Sequence, residues 1–226
     1  MDTWIDPGTE TVRAIHLDPL VGWLTSEWLG AGPVRLLDLG CGDMLISRLL
    51  PAGNEIDGYD PSEPARNAAR VAGARAGASG CVFDHPTEIP VGVYDGVIIS
   101  SVLQYLPDEQ ALTEMLRDAA RWLRPMGSLG VVATDVPLPG GRRWSDAGDL
   151  SVELSRRLGP FAAMRELVRA ARRSPGDLRS FAVAEVENCA ALAGMGAVRL
   201  DRNLSPFRSR ASYLFRSRID DGRSNA

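Results

Sequence analysis

The strongest constraint on the fold of this chain is an apolar run that ends in a glycine-rich turn. Residues 34–39 are VRLLDL, and Gly40 and Gly42 come directly after them. A short apolar run that follows Pro33 and is broken by glycine is typical of a buried parallel strand that leads into a helix, here residues 45–50. Because glycine lacks a Cβ and a helix start has unpaired N–H groups, a ligand can approach this backbone closely. The turn is therefore the predicted site of a nucleotide-like ligand.

A second apolar run ends in a carboxylate that fits the same ligand. Residues 55–59 form this run and Asp60 follows it. The spacing from the glycine turn is roughly the 20 residues at which an acidic side chain accepts hydrogen bonds from both hydroxyls of a ribose. The third glycine of the dinucleotide-binding pattern is absent. The turn and Asp60 together predict a nucleoside site.

Four short motifs occur in an order that resembles a known enzyme family. They are LLDLGCG at 36–42, GYDPS at 58–62, YDGVIIS at 94–100 and LRPMG at 123–127. Together they resemble the successive motifs of the class I S-adenosylmethionine-dependent methyltransferases, over about residues 34–135. The resemblance implies an α/β fold, a Rossmann-like three-layer sandwich with helices on both faces of a mostly parallel seven-stranded sheet whose last strand is antiparallel. It also implies S-adenosyl-L-methionine (SAM) as the cofactor and methyl transfer as the reaction.

The same resemblance assigns cofactor contacts to individual residues. It implies that Gly40 and Gly42 face the methionine and ribose portion of SAM and that Asp60 holds the ribose hydroxyls. It places Asp84 and His85 near the adenine. The family often has glycine where Met44 stands, so we expect a stiffer turn here. The predicted cofactor-binding residues are Asp38, Gly40, Cys41, Gly42, Asp60, Pro61, Asp84, His85 and Ser100.

A general base helps to deprotonate a hydroxyl acceptor, and His16, Tyr105 and Asp135 are the candidates for this role. Many relatives carry histidine where Tyr105 falls here. An amine acceptor that binds as its free base needs no such group, so O- and N-methylation both stay open. We favour O-methylation of a small metabolite, because the loop-rich region 137–180 resembles a pocket cover. In the family the amino-terminal segment often closes over the cofactor, which makes Trp4, Arg13 and His16 candidates for ligand contact.

The predicted elements divide the chain into five parts. Residues 1–33 are an N-terminal helical cap with helices at 9–17 and 19–29, and residues 34–136 are the cofactor-binding Rossmann-like core. Core strands are expected at 80–83, 93–100 and 129–134, with an amphipathic helix at 108–123. Residues 137–180 are a helical lid with helices at 149–158 and 160–173. A closing helix at 184–192 and an edge hairpin at 198–204 and 211–216 occupy residues 181–219, before a flexible tail at 220–226.

Composition excludes several classes of chemistry. All 25 basic residues are arginine, which excludes a phosphate-loop lysine and a Schiff-base lysine. Three cysteines and two histidines suit neither a disulfide framework nor a metal site. There is no signal-like start and no continuous apolar run of the roughly 18 residues that span a membrane, so we expect a cytoplasmic protein without membrane contact. No nucleic-acid motif is present.

Charge is divided unevenly along the chain. Residues 1–136 carry 9 arginines and 19 acids, a net charge of −10, whereas residues 137–226 carry 16 arginines and 10 acids, a net charge of +6. A group of arginines falls on one side of the predicted lid helix, at Arg165, Arg169, Arg172 and Arg173. The asymmetry predicts either a solvated surface or attraction of an anionic substrate or an acidic carrier protein to residues 137–226.

Two other functions fit part of this pattern. A nicotinamide-dependent oxidoreductase would also have a Rossmann turn, but the glycine pattern that breaks at Met44 and the antiparallel final hairpin argue against it. The second alternative is a protein of the same fold that binds SAM without methylating.

Overall fold

One seven-stranded sheet organises the part of the chain that the computed structural model describes, which is residues 7–30, 32–76, 80–126, 128–139, 143–159, 163–164, 179–207 and 209–217. The strands are β1 (Arg35–Leu39), β2 (Glu55–Tyr59), β3 (Val82–Phe83), β4 (Gly96–Ser100), β5 (Gly130–Pro137), β6 (Met195–Arg199) and β7 (Arg210–Ser217). Their order across the sheet is β3-β2-β1-β4-β5-β7-β6. The pairs among β1 to β5 are parallel, while β7 runs antiparallel to β5 and β6. This arrangement confirms the predicted fold class.

Helices cover both faces of the sheet. They are α1 (Pro7–Glu27), α2 (Leu45–Leu49), α3 (Glu63–Ala76), α4 (Glu109–Trp122), α5 (Arg143–Leu158) and α6 (Val183–Leu192). Successive strand residues point to opposite faces, so Leu36 packs with α1, α2 and α3, and Leu37 packs with α4 and α6. The helix predicted at 108–123 is confirmed as α4, and the Asp108 carboxylate caps it by accepting a bond from the Ala111 N–H at 2.8 Å.

The amino-terminal cap differs from its prediction. Two helices were expected, with Asp18 as a cap and Pro19 at the first helical position, but α1 is continuous and contains Pro19. Proline lacks an N–H, so it costs the helix one backbone bond without preventing it from continuing. Tertiary packing favours the continuous form: Leu20 and Leu24 are fully buried, and Trp28, just beyond α1, is 3% exposed. A Cβ on Gly96 would lie 2.6 Å from the Trp28 ring, so glycine at this place in β4 lets the indole pack on the sheet.

The carboxyl-terminal elements are also shifted from their predictions. The edge strand expected at 198–204 is β6, at Met195–Arg199, and it includes Gly196, which had been predicted to lie in a turn. The fifth strand extends to Pro137, so Asp135 lies within β5 rather than at its end. The first helix of the predicted lid region begins earlier than expected, at Arg143. The helix predicted at 160–173 lies almost wholly outside the described residues.

Candidate active site

The glycine turn after β1 is held against β2 by backbone bonds. The Gly40 and Cys41 N–H groups both donate to the Tyr59 carbonyl, at 2.7 and 3.1 Å. Gly40 has φ of 82°, and a Cβ there would lie 2.3 Å from a methyl carbon of Val102. Both the backbone angle and the space therefore require glycine at position 40. The Val102 side chain thus fills the space beside Gly40 at the carboxyl end of β1.

Met44 shows how the chain tolerates a side chain where the family often has glycine. It has φ of 59°, in the left-handed region, and directly precedes α2. Its side chain turns into the core, where it is 4% exposed. A Cβ on Gly58 would lie 2.4 Å from the Met44 sulfur, so the glycine in β2 makes the room that Met44 needs. The absence of a side chain at Gly58 in β2 therefore allows methionine at position 44 of the turn.

Asp60 lies beside this turn, as the sequence predicted. Its carboxylate accepts a bond from the Gly42 N–H at 3.0 Å and another from the Ser62 N–H at 2.8 Å. Arg66 donates to the Asp60 carbonyl at 2.7 Å. Each carboxylate oxygen can accept more than one bond, so the group keeps capacity for further donors such as hydroxyls. Pro61 follows at the start of the loop to α3.

Asp38 is a buried acid in the same crevice, with 4% of its surface exposed. Burial, and next the charge of Asp60, raise the pKa of Asp38 from 3.8 to about 7, and Arg13 partly offsets this. A cation placed beside this carboxyl group would lower its pKa and stabilise the carboxylate. Burial also raises the pKa of the adjacent Cys41 thiol, so this cysteine is not a reactive nucleophile.

A second buried carboxylate joins the turn to α1. Asp43 is 1% exposed and forms an ion pair with Arg13, and Arg48 lies 3.6 Å from its other oxygen. A Cβ on Gly42 would lie 3.4 Å from the same Arg13 guanidinium. The motif analysis named Arg13 as a possible ligand contact but missed Asp43. Its place directly after the two glycines was the available signal.

Asp84 and His85 follow β3 at the same edge of the sheet. The Asp84 carboxylate is exposed and pairs with Arg70 at 2.8 Å and with Arg66 at 3.4 Å. The bond from Arg70 is the main reason why the pKa of Asp84 is lowered. The N–H groups of Asp84 and His85 both donate to Glu88, at 3.0 and 3.3 Å. In this structure the two residues therefore bond to α3 and to their own turn, and their contact with adenine stays a prediction.

The carboxyl ends of β4 and β5 form a polar cluster around Asp135. This residue is 8% exposed, has φ of 62° and lies where the β5–β7 register shifts. Ser101, which has φ of 57°, and Ser205 each donate a hydroxyl bond to its carboxylate at 2.8 Å. Ser100 lies beside this cluster and accepts a bond from the Thr134 hydroxyl at 3.1 Å. Left-handed conformations of residues other than glycine are costly and tend to occur at functional sites, which makes this cluster a candidate.

Gln104 and Arg210 belong to the same cluster, and neither was among the predicted catalytic or cofactor-binding residues. Arg210 donates to the Gln104 side chain at 2.6 Å and to the Asp135 carbonyl at 3.4 Å. Its guanidinium also lies 4.0 Å from the Asp135 carboxylate. Gln104 was within reach of the analysis, since it follows β4 closely, but no sequence pattern relates Arg210 to this edge.

The other two predicted bases differ in their surroundings. His16 packs edge-on against Phe207, with ring centres 4.6 Å apart. The Phe207 N–H donates to Ser205 at 3.3 Å, so Phe207 links His16 to the Asp135 cluster. Tyr105 is 60% exposed, so its ring lies largely in solvent. Trp4 lies outside the described residues, as do the four arginines predicted on the lid helix.

A cavity of about 420 Å³ lies between α1 and α5. It is lined by Ile15, Asp18 and Pro19 of α1, by Val152, Glu153 and Arg157 of α5, and by Pro206. Arg157 forms ion pairs with Asp18 and, at 2.9 Å, with Glu153. Among the described residues no group of three His, Cys, Asp or Glu side chains could hold a metal ion. Within the same part of the chain, no helix is long and apolar enough to cross a membrane.

Comparison with known proteins assigns the class. Residues 37–129 match the family model described as a methyltransferase domain. Residues 37–129 are therefore a methyltransferase domain, and the strand order around them is that of the class I SAM-dependent methyltransferases, whose cofactor is SAM. Comparison with curated proteins finds no match.

Solved structures share the fold at low sequence identity. Magnesium protoporphyrin IX methyltransferase from Synechocystis PCC 6803, with bound SAH, is 16% identical with a TM-score of 0.59, and the match covers 95% of this chain and 89% of that one. An O-methyltransferase family protein from Burkholderia thailandensis is 15% identical with a TM-score of 0.59, over 93% and 58% of the two chains. An O-methyltransferase from neocarzinostatin biosynthesis, in complex with S-adenosyl-L-homocysteine and 1,4-dihydroxy-2-naphthoic acid, is 17% identical with a TM-score of 0.59, over 93% and 56%. This chain therefore spans little more than half the length of the latter two proteins.

Proposed function

We propose that this protein transfers a methyl group from SAM to a hydroxyl of a small molecule. The observation that carries the proposal is the buried Asp135 cluster near the carboxyl ends of β4 and β5, and β4 lies next to β1 and its glycine turn. Ligands of open parallel sheets bind beyond the carboxyl ends of the strands, so cofactor and acceptor would meet at this edge. Several structures with this fold are described as O-methyltransferases, which supports the same choice.

The residues around the turn fit the cofactor. Gly40 and Gly42 leave the backbone of the turn without side chains at two positions, and Asp60 offers a carboxylate that two backbone N–H groups already orient. Asp38 offers a buried carboxyl group that a neighbouring cation would stabilise. When bound, SAM supplies an electrophilic methyl group on a positively charged sulfur. The chain's part is to align the acceptor with that group and to exclude water.

Asp135 is the best placed of the three candidate bases. Both carboxylate oxygens are held by hydroxyl donors, and each has a second lone pair that can accept the acceptor's proton. His16 is the second candidate, because it lies against Phe207 near the same cluster. Tyr105 is the weakest of the three, because its exposure gives it no fixed position. An anionic acceptor or an acidic carrier protein at residues 137–226 stays a prediction, since the arginines that prompted it lie mostly outside the described residues.

Product formation from matched acceptors tests the proposal. S-adenosylhomocysteine release would be measured with naphthols and phenols and with the corresponding amines. We expect turnover of hydroxylated acceptors, and we expect Asp135→Asn to lower kcat by about 100-fold or more, the usual contribution of a general base, with little change in KM. Glu114→Gln, an exposed change on α4, is the control.

Three results would contradict parts of this proposal. Turnover of amines alone would contradict O-methylation. Full activity of Asp135→Asn would remove its role as the base. Tight cofactor binding without any product would favour the non-methylating alternative.

A further inference from the structure

The helix α1 contacts three parts of the candidate active site between Arg13 and Asp18. Arg13 pairs with Asp43 at the glycine turn, His16 packs on Phe207, and Asp18 pairs with Arg157 of α5. We propose that Arg13 is a positioning residue that couples an occupied cofactor turn to closure of α5 through α1. The proposal rests on the proposed function and adds to it that α5 covers the acceptor side.

At the cofactor end of α1, Arg13 lies close enough to the glycine turn to contact a ligand bound there. Its guanidinium packs 3.4 Å from the Cβ position of Gly42. The amino-acid end of SAM carries a carboxylate, which is attracted to this guanidinium only while α1 is docked. A ligand shifts an equilibrium by the difference in its interactions with the two states, so this attraction favours the docked helix. Asp43 has Arg48 within 3.6 Å as a second cation, so it keeps a partner when Arg13 shifts towards the ligand.

In the middle of α1, Pro19 separates an anchored half from a half that can pivot. The residues after it are held in the main core, where Leu20 and Leu24 are fully buried. Proline cannot donate a bond to the Ile15 carbonyl, so the helix is weakest between these halves. The part of α1 that carries Arg13 and Asp18 meets this core through Leu17, which is only partly buried, so it can tilt more easily than the part after Pro19.

At the lid end, α1 and α5 are loosely joined. Their shared apolar cluster contains five buried residues, Ile15, Leu150, Leu154, Ala163 and Phe207. The Arg157 and Asp18 side chains are 40% and 41% exposed, and ion pairs this exposed contribute about 0–1 kcal/mol. The cavity of about 420 Å³ between the helices leaves part of the interface unpacked. Such an interface opens at low cost, so a modest bias from α1 is enough to change its population.

Hydrogen exchange measured by mass spectrometry tests the coupling without knowledge of the acceptor. The probe is S-adenosylhomocysteine at saturating concentration for each variant. We expect it to slow exchange of the α5 amides in the native protein by about fivefold, the lower range of allosteric coupling. Arg13→Gln should still bind the probe and lose this protection, and Arg13→Lys should restore most of it.

Arg156→Gln is the matched control, because Arg156 lies on α5, is 72% exposed and pairs with Glu153 at 2.9 Å. It should behave as the native protein does. Equal protection of α5 in Arg13→Gln, or none in the native protein despite bound probe, would overturn the coupling and leave the proposed function intact. Failure of the native protein to bind the probe at all would contradict the proposed function itself. Thermal unfolding of each variant confirms that it is folded.

Discussion

At the scale of single residues, Asp38 combines a stability cost with the binding role that we propose for it. A buried carboxyl group whose pKa is raised to about 7 stays protonated in the folded chain while the unfolded chain has already ionised. Rising pH therefore removes stability between about pH 4 and pH 7, and the loss persists above that range. A cation bound beside Asp38 would restore part of the lost stability. The residue most unfavourable for the empty protein is thus one that the cofactor can stabilise.

Asp38→Asn should separate these two effects. Asparagine does not ionise, so from pH 5 to pH 8 the variant should gain stability relative to the native protein by on the order of 2–3 kcal/mol. Its cofactor affinity should fall by about tenfold or more at pH 8, because the facing negative charge is lost. Thermal or denaturant unfolding at the two pH values and calorimetry with S-adenosylhomocysteine measure these changes. A relative stability that does not depend on pH would show that Asp38 ionises normally in the folded chain.

At the scale of elements, the packing of β2 against the glycine turn decides whether the turn can form. Gly58→Ala would place a Cβ 2.4 Å from the Met44 sulfur and 2.9 Å from the Cys41 sulfur. We expect a loss of about 1–3 kcal/mol of stability, as for other overpacked cores, together with weaker cofactor binding. In a Met44→Gly background the same change should cost much less, because the closest contact is gone. Gly73→Ala on α3 is the control, since nothing lies within 4 Å of its Cβ position.

Additive effects of Gly58→Ala and Met44→Gly would contradict this account. Their coupling is also the kind of information that a single sequence does not supply. The motifs placed Asp60 beside the turn, as the structure does, because local spacing determines this placement. The room for Met44 depends on a residue from another strand, which local spacing does not reveal.

The same limit explains which elements were misplaced. Local rules treat Pro19 as the start of a helix, but burial of Leu20 and Leu24 against the sheet keeps α1 continuous through it. Gly196 was assigned to a turn, yet pairing with Arg216 of β7 places it in β6. Arg210 reaches the Asp135 cluster because β7 lies next to β5 in the sheet order. These three features depend on tertiary contacts, which the four sequence motifs do not reveal.

At the scale of the whole molecule, one buried ionic network connects the strands on the side of the sheet away from α1. Asp57 in β2 is fully buried and accepts bonds from Arg35 at 2.8 Å, Tyr94 at 2.8 Å and the Cys81 N–H at 2.7 Å. Burial opposes its charge, but these bonds outweigh burial, so the pKa of Asp57 is lowered. The network thereby ties β1, β2 and the segments before β3 and β4 together.

Asp57→Asn should therefore destabilise the chain by about 3 kcal/mol at pH 7, because an amide cannot accept all the bonds that the carboxylate accepts, while Arg35 keeps Glu55 as a partner at 3.2 Å. For an acid with a lowered pKa, the stabilisation is complete above the unfolded value of about 4 and disappears as pH falls through the folded value. The native protein should thus lose its advantage over the variant only at a pH below the ordinary range of an aspartate pKa. Tyr94→Phe, which removes one neutral donor, should cost only about 1–3 kcal/mol. Denaturant unfolding from pH 7 down to the acid limit measures both variants. A difference between native protein and Asp57→Asn that is the same at every pH would show that packing, rather than charge, is what Asp57 contributes to the sheet.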